Sequence, residues 1–257
     1  MRMTFSEYIQ NPAGKQNAVF SQREMYRTIY TQKLDKILLR ENNKIDYHLY
    51  TDSTDFYIYI KIPSETIEKF YYDVVVRFFP NDPTDGAKPT LKSYNVQFFS
   101  NSPDFVFTYA HVFIEKDLFI EDLKPKMSKQ AIKKEANVRN PEGIVGYVKG
   151  LYFAYLIMEN RGLFTKSKFK LYSSKYNKKE LLHNIEEADI KIEKRQEEEA
   201  KKNKKEKKEK SQPSPSSSPQ RDNAFRAKPF STISPIKKIN NSSSNKFIKR
   251  TSTIKKK

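Results

Sequence analysis

The sequence predicts an α+β domain whose mostly antiparallel β-meander sheet is flanked by two long helices and followed by a charged helical stalk and a disordered basic tail. Three observations lead to this prediction. Apolar residues recur at helical spacing near the N-terminus, they alternate with polar residues in the middle of the chain, and cationic residues concentrate at the C-terminus. The predicted boundaries are 1–176 for the globular domain, 177–210 for the stalk and 211–257 for the tail.

The first long helix is predicted over residues 22–41. Ser21 and Glu24 have the spacing of a capping box, which marks a helix N-terminus. The helix that follows carries one apolar stripe with intervals of three or four residues, and a single stripe indicates that one face packs on the rest of the domain. The stripe consists of Tyr26, Tyr30, Leu34, Ile37 and Leu38.

Five strands are predicted, at about residues 45–50, 56–62, 71–79, 93–100 and 104–115. The first three segments place side chains on two faces with a period of two, which is the spacing of a strand, and the last two complete the set. Short polar links between the segments favour an antiparallel meander over crossover connections.

A second long helix is predicted over residues 141–160. Asn140 supplies an N-cap ahead of Pro141, and Gly162 lies where a C-terminal cap is expected. Small residues repeat every fourth position along the segment, at Gly146, Gly150 and Ala154. Such a stripe lets another backbone approach closely; it indicates either a helix seated on its own sheet, which we favour, or a subunit contact.

The stalk is predicted to begin after Asn177, with Glu180 at the capping position. Its apolar stripe ends beyond Ile192, and residues 194–210 are charged on all sides. Pairs four residues apart, such as Glu197 with Lys201 and Glu198 with Lys202, would support a solvated helix there.

The charge of the chain is divided unevenly. Residues 201–257 hold 18 Lys and Arg against 3 Asp and Glu, whereas residues 1–200 hold 31 against 28. Only three of the 34 Phe and Tyr residues lie in the C-terminal part, so apolar burial cannot offset the entropy of ordering it. A near-neutral body is therefore joined to a cationic tail.

The basic residues of this tail are the candidate binding residues, because binding a polyanion by counterion release needs such a display. Lysine outnumbers arginine, which favours contacts to phosphate over reading of bases. Other roles remain open for the tail, including a solubilising appendage and contact with anionic phospholipids. The candidate nucleic-acid-binding residues are Lys201, Lys202, Lys204, Lys205, Lys207, Lys208, Lys210, Arg221, Arg226, Lys237, Lys238, Lys249, Arg250, Lys255, Lys256 and Lys257.

A second basic patch runs from Lys166 to Lys179 and is interleaved with Phe169, Tyr172 and Tyr176. Lysines and aromatic rings together follow a nucleic-acid backbone and stack on its bases. The same alternation is typical of an edge strand with one solvated face, and we favour that interpretation.

The sequence gives little support for an enzyme, a cofactor or a metal. The chain has no cysteine and none of the Walker, dinucleotide-binding, nucleophile-elbow or zinc-protease motifs. Asp104 with Asp122 and Lys124 loosely matches the carboxylate and lysine pattern of some Mg²⁺ nucleases. His183 lies four residues before Glu187, and an ordinary surface pair is the preferred interpretation.

No membrane insertion is expected. The N-terminal 20 residues lack the continuous apolar core of a secretory signal. The longest apolar stretch, residues 144–158, contains Lys149 and is shorter than the roughly 20 residues that cross a bilayer. A buried helix is the better interpretation of that stretch.

Segments 23–26, 38–41, 56–64 and 139–147 resemble those of a group of uncharacterised proteins of tailed bacteriophages that infect low-GC bacteria, and the similarity covers roughly residues 1–165. The resemblance implies a virion or assembly component, located in the virion or the host cytoplasm, with other virion proteins as partners and a possible homo-oligomer. It carries over no site residue.

The expected function is therefore that of a non-enzymatic phage structural or assembly protein. Its body would bind protein, and its basic tail would contact nucleic acid without sequence preference. Two alternatives stay open: a DNA- or RNA-binding protein that also uses the body through residues 166–179, and a metal-dependent nuclease.

Overall fold

The computed structural model describes residues 2–10, 20–42, 44–52, 54–80, 90–133, 140, 143–165 and 177–210, with the side chains of 20–25 and 207–210 left undescribed. Residues 1–212 form one compact unit. The predicted disorder of the tail and the predicted edge strand at 166–176 lie outside the described residues. Among these residues no helix is both long and apolar enough to span a bilayer.

The centre of the domain is a four-stranded antiparallel meander in the order β1-β2-β3-β4. The strands are β1 (Tyr47–Asp52), β2 (Asp55–Pro63), β3 (Tyr71–Phe79) and β4 (Asn95–Ser100). Consecutive strands pair antiparallel with their neighbours in the sequence, through links of 2, 7 and 15 residues. The predicted α+β class and the antiparallel meander are confirmed, with four strands where five were predicted.

Both faces of this sheet are buried. On one face Ile58, Val76 and Phe98 lie side by side, and Phe98 packs against the rings of Phe5 and Tyr8. On the opposite face Tyr59, Val75 and Phe99 lie side by side, and the ring of Phe99 is 6.0 Å from that of Phe119. Strands that are buried on both faces consist of nearly continuous apolar residues, which explains the sequence YYDVVVRFF of β3.

Helices and short turns surround the sheet. The helices are α1 (Phe5–Gln10), α2 (Phe20–Arg40), α3 (Ala110–Glu115), α4 (Lys129–Lys133), α5 (Lys149–Asn160), α6 (Lys178–Asn184) and α7 (Ala188–Lys210). A π-helical turn, Phe105–Tyr109, leads into α3. Short 3-10 turns occupy Leu91–Ser93 and Glu121–Lys126.

Helix α2 agrees with the first long helix predicted at 22–41. Its residues Leu34 and Ile37 are buried, and Tyr30 lies 5.3 Å from Tyr152 of α5. The apolar stripe therefore packs as its spacing predicts. The side chains of the proposed capping box at Ser21 and Glu24 lie outside the described residues.

The predicted fifth strand at 104–115 is wrong, because this segment is helical. The periodicity of a short apolar run does not distinguish a buried helix from a buried strand. Here the π-helical turn and α3 bring Phe105 and Phe113 together at 5.2 Å, and Phe113 also lies 6.0 Å from Phe98. Packing of these rings on the sheet decides in favour of helix.

The second long helix begins later than predicted, at Lys149 instead of residue 141. Asn140 closes a turn instead of capping a helix, since its side chain accepts from Ile144 N (3.1 Å) and donates to Ile144 O (2.9 Å). The hydroxyl of Tyr8 donates to Gly146 O and accepts from Val148 N. These tertiary bonds satisfy backbone groups that a helix would have paired internally.

The C-terminal end of α5 agrees with the prediction. Gly162 has φ +63°, and Leu163 N donates to Met158 O while Gly162 N donates to Glu159 O. These two bonds form a Schellman motif, which favours glycine at the left-handed position. The small-residue stripe packs inside the molecule, with Gly146 under the ring of Tyr109 and Gly150 against Val74.

The outer edge of β4 is covered by other parts of the chain. Val96 N donates to Met3 O, and Phe98 exchanges bonds with Leu118 O and Ile120 N. Covering an edge strand in this way removes a site for unwanted strand pairing.

Candidate nucleic-acid interface

The predicted stalk consists of two helices, α6 and α7, with a break at residues 185–187. Asn177 caps α6 as predicted, because its side chain accepts from Glu180 N at 3.1 Å. The break arises because the chain binds the sheet there. Ile185 is buried, and Glu186 N donates to the carboxylate of Asp73 at 3.1 Å.

Asp73 lies in β3 and is only 3% exposed. Its carboxylate accepts from three donors: the hydroxyl of Tyr59 (2.7 Å), Nδ2 of Asn101 (2.7 Å) and Glu186 N. Asn101 Nδ2 is also 3.2 Å from Glu186 O, so it joins the carboxylate to the backbone of the break. A buried carboxylate is stable only with such donors. We name Asp73, Tyr59, Asn101 and Glu186 the hinge clamp.

Tyr59 keeps its proton in this clamp. Burial raises the pKa of its hydroxyl well above the ordinary value, and the charge of Asp73 and the hydrogen bond to it raise this pKa further. The protonated hydroxyl donates to Asp73, and Asp73 in turn accepts from Glu186 N just before α7.

One face of α7 docks on the body. Ala188 is buried and Ile192 packs on the core. Arg195 donates through Nη1 to the hydroxyl of Tyr72, and its guanidinium lies 5.8 Å from the centre of that ring. The ammonium of Lys191 lies 4.9 Å from the centre of the Phe70 ring.

Lys191 and Arg195 contact a small apolar cluster, formed by Ile67, Phe70 and Tyr72, which is separate from the main core. Cations over aromatic faces contribute about 0.5–1 kcal/mol at exposed sites and more where water is excluded. Docking of α7 therefore relies on cation–ring contacts and few apolar ones.

Glu186 binds two cations of α7, with Lys191 Nζ at 2.8 Å and Lys194 Nζ also in contact. Partial burial opposes ionisation of Glu186, but the hydrogen bonds and charges of Lys191 and Lys194 outweigh it and hold its pKa below the usual value. These lysines are therefore engaged with the hinge clamp.

Beyond Arg195 the cations of α7 face water. Lys201, Lys202, Lys204 and Lys205 are all exposed. Lys201 pairs with Glu198 at 2.6 Å, and Lys202 donates to Thr66 O at 3.3 Å. Among the residues that the structure describes, Lys204 and Lys205 contact no carboxylate.

The predicted pairs Glu197–Lys201 and Glu198–Lys202 differ from those observed. Lys201 pairs with Glu198 three residues before it, and Glu199 pairs with Arg195 at 2.8 Å. Both spacings bring side chains together on a helix surface, so sequence alone leaves the partner open.

The remaining predicted binding residues cannot be placed by contacts. Lys207, Lys208 and Lys210 lie within α7, and their side chains lie outside the described residues. The other predicted residues lie wholly outside the described part of the chain: Arg221, Arg226, Lys237, Lys238, Lys249, Arg250, Lys255, Lys256 and Lys257.

The second basic patch is described only at its end, because residues 166–176 lie outside the described part. Lys178 is bound between Asp52 (3.1 Å) and Asp122 (2.7 Å), and its ammonium lies 5.9 Å from the centre of the Tyr57 ring. Burial lowers the pKa of Lys178, but the bonds to Asp122 and Asp52 more than offset this and raise it overall. Lys178 is engaged within the body.

Two of the three residues behind the nuclease alternative are engaged in ion pairs. Asp122 binds Lys178, and Lys124 binds Glu121 at 2.5 Å. Within the described ranges, no group of three or more His, Asp or Glu side chains is arranged to hold a metal ion. His183 borders a cavity of about 320 Å³ beside the hinge clamp, whose walls carry both lysines and carboxylates.

Sequence reasoning missed the hinge clamp and the docking face of α7. One signal was present: Asp73 interrupts an apolar strand, and a charged residue at a buried strand position calls for partners. The partners are far away in sequence and cannot be named from it.

Comparison with known proteins adds no relative: no family model, no curated protein and no solved structure matches this chain.

Proposed function

We propose that this protein is a non-enzymatic nucleic-acid-contacting protein, in which the cationic end of α7 and the basic residues after it bind phosphate groups without sequence preference. The observation that carries the proposal is the exposure of Lys201, Lys202, Lys204 and Lys205 on a helix that is docked to the body at its other end.

The dimensions of α7 support this role. The helix has 23 residues and is about 34 Å long at roughly 1.5 Å per residue. Its contacts with the body occur from Ala188 to Lys202, so the last turns extend beyond the body contacts that the structure describes. The chain continues from there into 47 further residues that hold 11 Lys and Arg against one Asp.

The chemistry of these residues favours phosphate as the ligand. An ammonium group is a mobile point charge and has no fixed fork to read a base edge. Helix α7 contains no aromatic residue, so it offers no ring on which a base would stack. Binding would therefore gain its free energy from released counterions and weaken steeply with salt.

The biological setting that we propose is a phage virion or its assembly, with the body binding other virion proteins or a second copy of the chain. This part of the proposal depends on the resemblance of residues 1–165 to phage proteins. It is tested by looking for the chain in purified particles.

A salt titration of binding to a DNA duplex tests the nucleic-acid role. The variant Lys201→Gln/Lys204→Gln/Lys205→Gln removes three exposed charges in the full chain. We expect the slope of log K against log salt to become shallower by about 2.7, because each lost phosphate contact contributes roughly 0.9. A second variant, with the cations among residues 221–257 replaced by Gln, should lose more of the slope.

The matched control is Lys36→Gln/Lys44→Gln/Lys92→Gln, which removes three exposed lysines from the body. Its slope of log K against log salt should differ from the wild-type slope by no more than about 0.9, the contribution of one phosphate contact. If the control lost as much slope as the α7 variant, the loss would reflect the net charge of the protein and not phosphate contacts of α7. Undiminished binding after both sets of α7 and C-terminal substitutions would favour the alternative in which the body itself binds nucleic acid.

A further inference from the structure

We infer that Arg195 is a positioning residue, which holds α7 against the body so that the lysines beyond it meet nucleic acid in a fixed direction. The inference depends on the proposed function and names the side chain that orients the same site. It separates Arg195, which docks the helix, from the exposed lysines beyond it, which bind phosphate.

The guanidinium of Arg195 is already occupied. Its Nε donates to Glu199 at 2.8 Å, its Nη1 donates to the hydroxyl of Tyr72, and its plane lies near the Tyr72 ring. The side chain is 28% exposed, compared with 62% for Lys201. Two of its N–H donors are thus engaged, and the carboxylate of Glu199 beside it disfavours the approach of a phosphate.

Arg195 lies two turns beyond the hinge clamp on the docking face of α7. Ala188, Ile192 and Arg195 are spaced by three and four residues, so they share one side of the helix. The clamp fixes where α7 begins, and Lys191 and Ile192 hold its first turns, but contacts so close to one end restrain the direction of a helix only weakly. Farther along, the exposed Lys202 adds one bond, to Thr66 O at 3.3 Å. Arg195 supplies a second fixed point about 10 Å along the axis, at roughly 1.5 Å per residue.

Two fixed points give the lysine array one orientation. When only a fraction of molecules holds the binding orientation, the apparent affinity falls by that fraction. Loss of the Arg195 contact should therefore weaken binding without changing how many phosphates are neutralised. Loss of an exposed lysine should instead reduce that number.

Two charge-balanced pairs of substitutions separate these effects. Arg195→Gln/Glu199→Gln removes the docking cation and its carboxylate partner. The matched control Lys201→Gln/Glu198→Gln removes an ion pair of the same kind, farther along α7. Neither changes the net charge, and all four side chains are at least 28% exposed, so both variants should fold.

The chain contains no cysteine, so two spin labels can be placed at Thr28→Cys on α2 and Asn203→Cys on α7. We expect a narrow distribution of label distances in the labelled parent and in the control, and a broad one in Arg195→Gln/Glu199→Gln. Tyr72→Phe, which removes only the hydroxyl that accepts from Arg195, should broaden the distribution in the same direction.

In duplex binding, the salt slope should change in the control and stay unchanged in Arg195→Gln/Glu199→Gln. Arg195→Gln/Glu199→Gln should bind roughly two- to fivefold more weakly with an unchanged salt slope. The control should lose about 0.9 of the slope. A narrow distance distribution in Arg195→Gln/Glu199→Gln would overturn the inference, as would a reduced salt slope, since the latter makes Arg195 a phosphate ligand.

If the parent protein binds no duplex, the proposed function fails, and with it the part of the inference that concerns binding. The distance measurement still decides whether Arg195 orients α7, because it needs no nucleic acid. The two failures are therefore distinguishable.

Discussion

Replacing Gly146 with alanine should destabilise the domain, because the space for a side chain is taken by a tyrosine ring. A Cβ atom at this position would lie 2.6 Å from Cε1 of Tyr109 and 3.0 Å from its hydroxyl oxygen. The backbone has little freedom to retreat, since Gly146 O accepts from the hydroxyl of Tyr8 and Val148 N donates to it. Inserting a methyl group into such a site costs about 1–3 kcal/mol.

Gly150→Ala is the matched control, four residues later in the same small-residue stripe. An added Cβ there would lie 3.4 Å from Cγ2 of Val74, which is an ordinary contact. Because Gly150 lies in α5, alanine should also reduce the entropy of the unfolded chain and gain up to about 1 kcal/mol. The same chemical change should therefore have opposite signs at the two positions.

Urea unfolding of the full chain measures both free energies. We expect the midpoint to fall for Gly146→Ala and to hold or rise for Gly150→Ala. A double variant with Tyr109→Ala should lose most of the added cost of Gly146→Ala, since the ring is then absent. Equal midpoints for Gly146→Ala and wild type would show that the glycine is not in close contact with Tyr109.

Three further predictions concern other contacts. Asp73→Ala removes the shared acceptor of Tyr59, Asn101 and Glu186 N and should lower the free energy of unfolding by about 3 kcal/mol or more, measured in urea. Asn177→Ala removes a helix cap and should cost about 0.5–2 kcal/mol in the same assay. Burial of Glu65 opposes its ionisation, yet hydrogen bonds from Lys149 and Lys33 lower its pKa. Its contribution to stability is therefore present above the ordinary carboxyl pKa and lost as pH falls through the folded value, so Glu65→Gln should flatten the decline in urea midpoint from about pH 7 to about pH 3.

The strands were predictable because their pattern is local. Alternation of apolar and polar side chains sets β1, β2 and β4 within a few residues, and the register of β1 with β2 follows from the short turn between them. The segment at 104–115 was not predictable in this way. Its apolar residues fit a strand or a helix, and the choice depends on contacts between Phe105, Phe113 and the sheet that local sequence does not specify.

In the candidate interface, too, the local features were predictable from the sequence and the long-range contacts were not. Composition alone points to its lysines, because a run of seven lysines within ten residues needs no structure to be noticed. The docking of α7 was hidden, since it joins residues far apart in the chain: Asp73 with Glu186, and Tyr72 with Arg195. Long-range pairs of polar residues leave no periodic signal.

The order of charges along α7 explains how its far end can stay helical without a core. Asp189 lies in the first turn of α7, and lysines outnumber glutamates by seven to two over residues 201–210. Negative charge near the N-terminus and positive charge near the C-terminus interact favourably with the helix dipole, and this stabilises the helix without packing. The exposed lysines then owe little to packing, and replacing them with glutamine, itself a good helix former, should change stability by no more than about 0.5 kcal/mol. Loss of duplex binding in the lysine variants therefore reports on phosphate contacts, since the fold that presents those lysines remains intact.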